Sequence, residues 1–259
     1  MGAQNMTGFE NKVVLVTGAS SGIGEYLARR FYELGACVAL CSRSKERVDK
    51  SVSAYADAAD PRILTMTADM TKPEDIRAFA EAAVKRFGHI DVLINNAGLS
   101  HPKPTVEVTE KDFNVTVETK LRGYFFMAAA AAADMLKRKE GGAVINIGSV
   151  QSATVIPGQA VYASTNAGIC QMTRSLAREW GKAGIRVNCI APGSIHTPEN
   201  AARYADPAVE QAMCEKIPLG YRGYVEQIAD AAVFFAGQAS SYVTGQTLYV
   251  DGGLSLIQG

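Results

Sequence analysis

Residues 12–42 contain a strand, a helix and a second strand in close succession, and this order restricts the fold more than any other feature. "KVVLVTG" (12–18) is a β-branched run that ends in glycine, and a helical pattern extends from Ile23 to Leu34. "ACVALCS" (36–42) is a second apolar run. Strands joined through a helix pair in parallel, so this segment predicts a βαβ unit.

The same alternation continues along the chain. Further apolar runs of strand length lie at 62–67, 90–95, 142–148, 185–190 and within "QTLYVDGG" (246–253). Helical patterns between them cover 73–87, about 109–138 and 160–182. Strands that are apolar along their whole length are buried on both faces. The sequence therefore predicts the α/β class: a Rossmann-type, doubly wound parallel sheet of about seven strands flanked by helices, in a single domain over residues 1–259.

Residues 194–220 interrupt this alternation because they have no strand pattern. They follow a predicted strand, which places them near the carboxyl edge of the sheet, where open α/β sheets bind ligands. We therefore expect a small helical lid over a ligand site.

The charges and the cysteines exclude several classes of function. Lys plus Arg and Asp plus Glu both number 26, so no excess charge favours nucleic acid or a membrane surface. The five cysteines lack the close spacing of a metal or redox site. The N-terminal segment has neither the basic region nor the apolar run of a targeting signal. We expect a cytoplasmic protein without a bound metal, whose partners are small molecules.

A glycine-rich turn separates the first predicted strand from the first predicted helix. In "TGASSGIG" (17–24) the glycines permit a tight turn and close approach of a diphosphate to free amides at the helix N-terminus. The spacing TGxxxGxG resembles that of the short-chain dehydrogenase/reductase family, and the resemblance covers nearly the whole chain. It implies that the cofactor is bound by Gly18, Ser20, Ser21, Gly22, Ile23 and Gly24.

The end of the second predicted strand bears on the choice of cofactor. "CSRS" places Arg43 where NAD-binding relatives carry an acidic residue for the ribose hydroxyls. Arg43 would pair with a 2′-phosphate, and Ser42 could add a hydrogen bond, so the sequence favours NADP(H). The alternative is a solvated arginine at the start of the next helix, beside Lys45 and Arg47.

Three further segments match family motifs. "ADM" places Asp69 and Met70 where the family contacts adenine, and "NNAG" (95–98) matches the stretch that closes over the adenosine ribose. "PGSIHT" (192–197) matches the segment that holds the nicotinamide carboxamide. The resemblance thus adds these cofactor-binding residues: Asp69, Met70, Asn96, Ala97, Gly98, Pro192, Gly193, Ile195 and Thr197.

The catalytic motif matches the family at two positions. Ser149 follows the fifth predicted strand, and Tyr162 lies thirteen residues later. The resemblance implies that the serine holds the substrate oxygen while the tyrosine donates or accepts the proton. Tyr162 would also contact the cofactor.

Two other positions of the catalytic tetrad depart from the family. In the family a lysine four residues after the tyrosine supplies a positive charge and bonds the nicotinamide ribose, but this chain has Asn166 there. The family's asparagine lies on the preceding long helix, and in "FNVTVETKLRGYF" (113–125) its position is Lys120. We hypothesise a swapped tetrad, in which Lys120 supplies the cation beside Tyr162 and Asn166 offers amide bonds to the ribose or to a relay water.

The exchange leaves other readings open. Lys120 could be a solvated helix lysine and Asn166 an inactivated position, which would leave a nucleotide-binding sensor or scaffold. The same pocket could also serve a non-redox lyase or epimerase reaction. An engineered exchange would give the same sequence.

Seven polar residues fall on segments expected around the nicotinamide and suggest a polar, hydroxylated carbonyl or alcohol substrate: His101, Gln151, Gln159, His196, Glu199, Asn200 and Tyr204. Six consecutive alanines follow Met127 and would let helices approach closely. They resemble the family's helix-bundle interface, which implies a homodimer or homotetramer. Packing of these alanines against the chain's own sheet is the alternative.

Overall fold

The computed structural model describes residues 8–57, 59–100 and 102–256, and one seven-stranded sheet forms its centre. The strands β1–β7 are Val13–Thr17, Cys37–Ser42, Ile63–Thr67, Val92–Asn95, Gly142–Ile147, Ile185–Pro192 and Thr247–Val250. They pair in parallel in the order β3-β2-β1-β4-β5-β6-β7. The order reverses between β1 and β4, so the predicted doubly wound sheet is confirmed.

Helices cover both faces of the sheet. The helices α1–α8 are Gly22–Glu33, Lys45–Val52, Pro73–Phe87, Glu110–Val117, Gly123–Arg138, Ala160–Trp180, Pro207–Cys214 and Val225–Ala236. Val14 and Val16 of β1 pack in the apolar cluster on one face, and Val13 and Leu15 pack in the cluster on the other. This alternation explains why the strand is apolar at every position. None of the helices in the described ranges is long and apolar enough to cross a membrane.

Three of the six alanines of α5 are buried in the chain's own core. Ala128, Ala131 and Ala132 are buried in the apolar cluster that also contains Leu93 of β4. Small side chains at these positions let the helix approach the sheet closely. Association of this helix with a second copy of the chain stays a prediction.

The helix predicted at about 109–138 is not continuous. α4 begins at a capping box in which Thr109 and Asp112 each accept a hydrogen bond from the other's backbone amide. A π-helical turn, Glu118–Arg122, then separates α4 from α5. A π turn adds a residue to the helical repeat and shifts the direction of the side chains around it, which periodicity does not reveal. This turn carries Lys120, which is buried.

The predicted lid segment, residues 194–220, is helical. It consists of short turns at Pro198–Asn200 and Ala202–Tyr204, followed by α7. An isolated parallel bridge joins Ile195 to Gly223 just beyond the segment. Its place after β6 puts the segment at the carboxyl edge of the sheet, and its function as a lid stays a prediction.

A buried arginine fixes the lid segment. Arg222 is 1% exposed, and its Nη1 lies 2.8 Å from Glu210 Oε2. Its Nη2 donates to Ile195 O and to Asn200 Oδ1, both at 3.0 Å. Its guanidinium also lies 3.6 Å from the centre of the Tyr204 ring. One side chain therefore joins both ends of the segment.

Replacing Arg222 by methionine is expected to lower the free energy of unfolding by about 2–4 kcal/mol, because Glu210 would lose its buried cation and Ile195 O and Asn200 Oδ1 would each lose one donor. Urea denaturation measures this difference. The matched control is Arg77→Met, since Arg77 is exposed on α3 and its loss should cost less than about 0.5 kcal/mol. Equal changes in the two variants would contradict the assigned role of Arg222.

Candidate active site and cofactor cleft

A long cavity lies at the carboxyl edge of the sheet, where the strand order reverses between β1 and β4. Its volume is about 910 Å³, which suits a dinucleotide with a small substrate. All predicted site residues except Asn166 line it: Gly18, Ser20, Ser21, Gly22, Ile23, Gly24, Ser42, Arg43, Asp69, Met70, Asn96, Ala97, Gly98, Lys120, Ser149, Tyr162, Pro192, Gly193, Ile195 and Thr197.

The glycine-rich turn at one end of the cavity has the backbone that its sequence predicts. Gly18 and Gly22 have φ of +67° and +57°, a region that favours glycine. A Cβ at Gly24 would lie 2.3 Å from Gly18 O, so only glycine lets α1 start this close to the turn. The first amides of α1 therefore face the cavity and can bind an anion.

Asn96 attaches the glycine-rich turn to the end of β4. Its Nδ2 donates to Thr17 O at 3.1 Å and to Gly18 O at 3.0 Å. The backbone amides of Asn96 and Ala97 both donate to Thr17 Oγ1, at 3.0 and 3.1 Å. The "NNAG" motif thus has a structural role in holding the turn, in addition to lining the cavity.

Two arginines line the cavity beside the end of β2. Arg43 is exposed at the end of β2, and Arg47, which the sequence analysis did not select, lines the same wall. Ser42 is buried, and its hydroxyl donates to Ser44 O at 2.7 Å. Asp69 accepts hydrogen bonds from the amide and hydroxyl of Thr71, both at 2.9 Å. This end therefore presents two cations to an anionic group.

Ser149 and Tyr162 approach the cavity from separate elements. Ser149 caps the turn Val150–Ser152 that follows β5, and its Oγ accepts from Gln151 N at 3.2 Å. Tyr162 lies in the first turn of α6. Both line the cavity at the end opposite the arginines, so the fold brings the two predicted catalytic residues to one site.

The Lys120 side chain enters this site from the π turn. Its stem passes Gly98, where a Cβ would lie 2.9 Å from Lys120 Cδ. The Nζ donates to Ile147 O at 3.2 Å and lies 5.5 Å from the centre of the Tyr162 ring. The side chain is 3% exposed overall yet lines the cavity. The interpretation of Lys120 as a solvated surface lysine is therefore wrong.

Two opposing effects act on the pKa of Lys120. Burial alone lowers the pKa of Lys120, but attraction to the phenolate forms of Tyr124 and Tyr162 raises it, and the net pKa lies above its ordinary value. Tyr124, which the sequence analysis did not select, lies one turn further along the helix. Burial raises the pKa of Tyr124 to about 12 against the attraction of Lys120. The site thus contains a cation beside a protonated tyrosine.

Asn166 does not line the cavity. Its side chain is fully buried on α6, and Nδ2 donates to Tyr162 O at 2.8 Å, one turn back along the same helix. Its Oδ1 has no hydrogen-bond partner and lies near Gly148. A short amide on this helix does not extend to the cavity wall, so the predicted bond from Asn166 to the ribose has no support in this geometry.

The expected polar residues divide into two groups. Gln159 lines the cavity, and its Oε1 accepts from Ser100 Oγ at 2.6 Å and from Gln151 Nε2 at 3.3 Å. Glu199 and Asn200 of the lid segment also line the cavity. His196 stacks on Tyr224 and Tyr204 packs on Arg222, away from the cavity wall, while His101 lies outside the described residues. Sequence analysis missed Ser100 and Arg203, which also line the cavity.

The chain is similar to known proteins over nearly its whole length. A family model described as "Enoyl-(Acyl carrier protein) reductase" matches residues 18–255. The 3beta-hydroxysteroid dehydrogenase 1 of Eggerthella lenta is 38% identical over 250 residues, which cover 96% of each chain. Gluconate 5-dehydrogenase of Gluconobacter oxydans is 37% identical over 242 residues, 93% of this chain and 94% of that protein.

A solved structure extends this similarity to three dimensions. The gluconate 5-dehydrogenase from Burkholderia cenocepacia, in complex with NADP and tartrate, is 33% identical to this chain. The two structures superpose with a TM-score of 0.90 over 98% of this chain and 100% of that one. Sequence similarity and structural similarity thus both relate this chain to gluconate 5-dehydrogenases.

Proposed function

Because this chain belongs to the short-chain dehydrogenase/reductase family, we propose that it is an NADP(H)-dependent oxidoreductase that interconverts a ketone and a secondary alcohol. The bound cofactor supplies or accepts the hydride at its nicotinamide ring. The observation that carries the proposal is that Ser149, Tyr162 and Lys120 line one cavity together with the glycine-rich turn.

The cavity suits a phosphorylated dinucleotide. The backbone at Gly22 and the first amides of α1 form a cradle for a diphosphate. At the other end, Arg43 and Arg47 favour a 2′-phosphate, and residues 42–44 contain no acid that would repel it. The NADP in the Burkholderia cenocepacia relative agrees with this choice.

Replacing Arg43 by alanine is expected to weaken NADPH binding by about 10–100-fold, because a charge-assisted hydrogen bond contributes about 1.5–3 kcal/mol. NADH lacks the 2′-phosphate, so its Kd should change by less than about threefold. Titration of cofactor fluorescence measures both constants, and Arg77→Ala serves as the control for loss of a surface arginine. An equal loss for NADPH and NADH would contradict recognition of the 2′-phosphate by Arg43.

The residues at the nicotinamide end perform the proton chemistry. The Ser149 hydroxyl holds the carbonyl oxygen of the substrate, and Tyr162 gives that oxygen a proton in the reductive direction. In the oxidative direction Tyr162 accepts the proton from the alcohol. The Lys120 ammonium favours the phenolate that Tyr162 becomes after it has given up its proton.

We revise the swapped-tetrad hypothesis in one respect, which is the role of Asn166. Lys120 supplies the cation from the π turn, and Asn166 acts behind Tyr162, where its amide holds the backbone of the first turn of α6. In this form Lys120 contacts the reacting groups, and Asn166 is a positioning residue.

The substrate that we propose is a polar, hydroxylated carbonyl compound or its alcohol. Ser100 and Gln159 offer hydroxyl and amide groups beside Tyr162, and Arg203 offers a cation from the lid segment. A gluconate dehydrogenase is among the relatives, which agrees with this chemistry. Oligomer formation, as a homodimer or homotetramer, is part of the same proposal.

NADPH oxidation against a panel of ketones, keto sugars and keto acids tests the proposal. We expect turnover with at least one hydroxylated ketone and its loss in Tyr162→Phe. Binding of NADPH without turnover of any of these substrates would instead favour the second candidate, a nucleotide-binding sensor or scaffold. The position of Asn166 outside the cavity is the observation that favours that second candidate.

A further inference from the structure

A carboxylate of the lid segment lies on the glycine-rich turn. Glu199 belongs to the short turn Pro198–Asn200, and its Oε1 accepts a hydrogen bond from Ser21 Oγ. Its Oε2 lies 2.8 Å from the point that a Cβ of Gly22 would occupy. Ser21 and Gly22 form the start of α1, so the carboxylate covers the N-terminus of this helix.

The position of Glu199 is one that an anion favours. The first amides of α1 have no acceptor within the helix, and the helix dipole adds positive potential at this end. Burial alone raises the pKa of Glu199, but bonds from Ser21, its own backbone amide and Thr197, with attraction to Arg47, leave the pKa below its ordinary value. Glu199 is therefore a carboxylate at neutral pH.

The pKa of Glu25 also reflects the negative charge of Glu199. Burial and then the repulsion of Glu199 raise the pKa of Glu25, which lies in the first turn of α1. The lid carboxylate is thus close enough to α1 to influence the ionisation of a residue on it.

A cofactor diphosphate would bind at the same end of α1 as the Glu199 carboxylate. A dinucleotide places its diphosphate on the glycine-rich turn at the N-terminus of the first helix. Two anions at the same helix end repel each other, and the carboxylate beside Gly22 occupies space that a diphosphate on this turn needs. We infer that Glu199 is an internal competitor of the cofactor diphosphate and that NADP(H) binding requires it to leave the turn.

The lid segment determines how readily Glu199 leaves. Asn200, the next residue, is held by Arg222 and donates to Ile195 O at 2.7 Å. The backbone that carries Glu199 is therefore anchored, and displacement of the carboxylate involves rotation of its side chain or movement of the lid segment. Cofactor affinity and lid position are coupled through this one residue.

The test is the affinity of the Glu199→Gln variant for NADPH and for two fragments of it. Glutamine keeps the size and the bond to Ser21 but removes the charge. We expect NADPH and 2′-phospho-ADP-ribose, which contain the diphosphate, to bind about tenfold more tightly than to wild type. Adenosine 2′-monophosphate lacks the diphosphate, so its Kd should change by less than about threefold. Calorimetric titration measures all three.

Glu215→Gln is the matched control, since Glu215 is an exposed carboxylate at the end of α7 and lies outside the cavity wall. Its affinities should equal those of wild type. Glu199→Ala is the second variant, and urea denaturation checks that each variant is folded. Unchanged or weaker NADPH binding in both Glu199 variants would overturn the inference while leaving the cofactor assignment intact. Failure of wild type and all variants to bind NADPH would overturn both.

Discussion

Replacing Tyr162 by phenylalanine is expected to lower kcat by about 10²–10⁴-fold, the usual contribution of a general acid or base. The Kd for NADPH should change by less than about threefold, because phenylalanine keeps the ring that lines the cavity. Only the hydroxyl that carries the transferred proton is lost. The chemical step and cofactor binding are therefore expected to separate in this variant.

Tyr162, and not Tyr124, lines the cavity where a proton donor to the substrate is needed. Tyr124 is buried, does not line the cavity, and donates its hydroxyl to Ile147 O at 3.2 Å. Burial raises the pKa of Tyr124 to about 12, so it retains its proton at neutral pH. Tyr162 lies in the first turn of α6, beside Lys120 and on the same wall as Ser149.

Consumption of NADPH in the presence of the substrate panel measures kcat, and fluorescence titration measures the cofactor Kd. The matched control is Tyr242→Phe, which removes a hydroxyl from a fully exposed tyrosine and should leave both constants unchanged. A Tyr162→Phe enzyme that keeps kcat within about threefold of wild type would show that another group transfers the proton.

Exchanging Lys120 and Asn166 separately and together is expected to give strongly non-additive losses of activity. Lys120→Asn removes the cation beside Tyr162 and should lower kcat by about 10²-fold or more, since attraction at ~4 Å in a medium of dielectric constant ~20 is about 4 kcal/mol. Asn166→Lys alone places a second ammonium near the first, which is unfavourable. The double variant restores one cation and one amide.

The packing around both positions gives the reason to expect coupling. Lys120 Nζ approaches from the π turn past Gly98, and Asn166 lies behind Tyr162 on α6. The Oδ1 of Asn166 is buried and has no donor among the described residues. Both positions flank one tyrosine, and residues that share a partner in this way usually deviate from additivity by about 0.5–3 kcal/mol.

A double-mutant cycle on kcat measures this coupling, with Lys111→Asn as the control because Lys111 is an exposed lysine on α4. We expect the double variant to exceed the product of the single effects by about tenfold or more. Cofactor Kd and urea denaturation of each variant distinguish a lost cation from a lost fold. Simple additivity with folded, cofactor-binding proteins would contradict the swapped tetrad.

The fold and the cofactor end of the cleft could be predicted because they depend on short stretches of chain. Apolar runs of strand length alternating with helical patterns permit few arrangements other than a parallel sheet covered on both faces. The glycines of "TGASSGIG" determine the local backbone. Gly18 and Gly22 adopt positive φ, and Gly24 allows α1 to begin close to Gly18 O. Its position between β1 and α1 then places it at the reversal of strand order.

The nicotinamide end depended on contacts between distant parts of the chain. The exchange of Lys120 and Asn166 was a prediction from the sequence, but the π turn that directs Lys120 inward and the burial of Asn166 arise from packing of α4, α5 and α6. Arg222 contacts residues that lie 12 and 27 positions away in sequence, and no local sequence pattern predicts these contacts.

The sequence by itself determined the parallel sheet, the glycine-rich turn and most of the residues that line the cavity, since periodicity and backbone preference act over a few residues. Only the tertiary structure decided which charged groups meet: the ammonium of Lys120 beside Tyr162, and the carboxylate of Glu199 on the turn at Gly22. Electrostatic energy depends on separation in space and on burial, and both are properties of the folded chain.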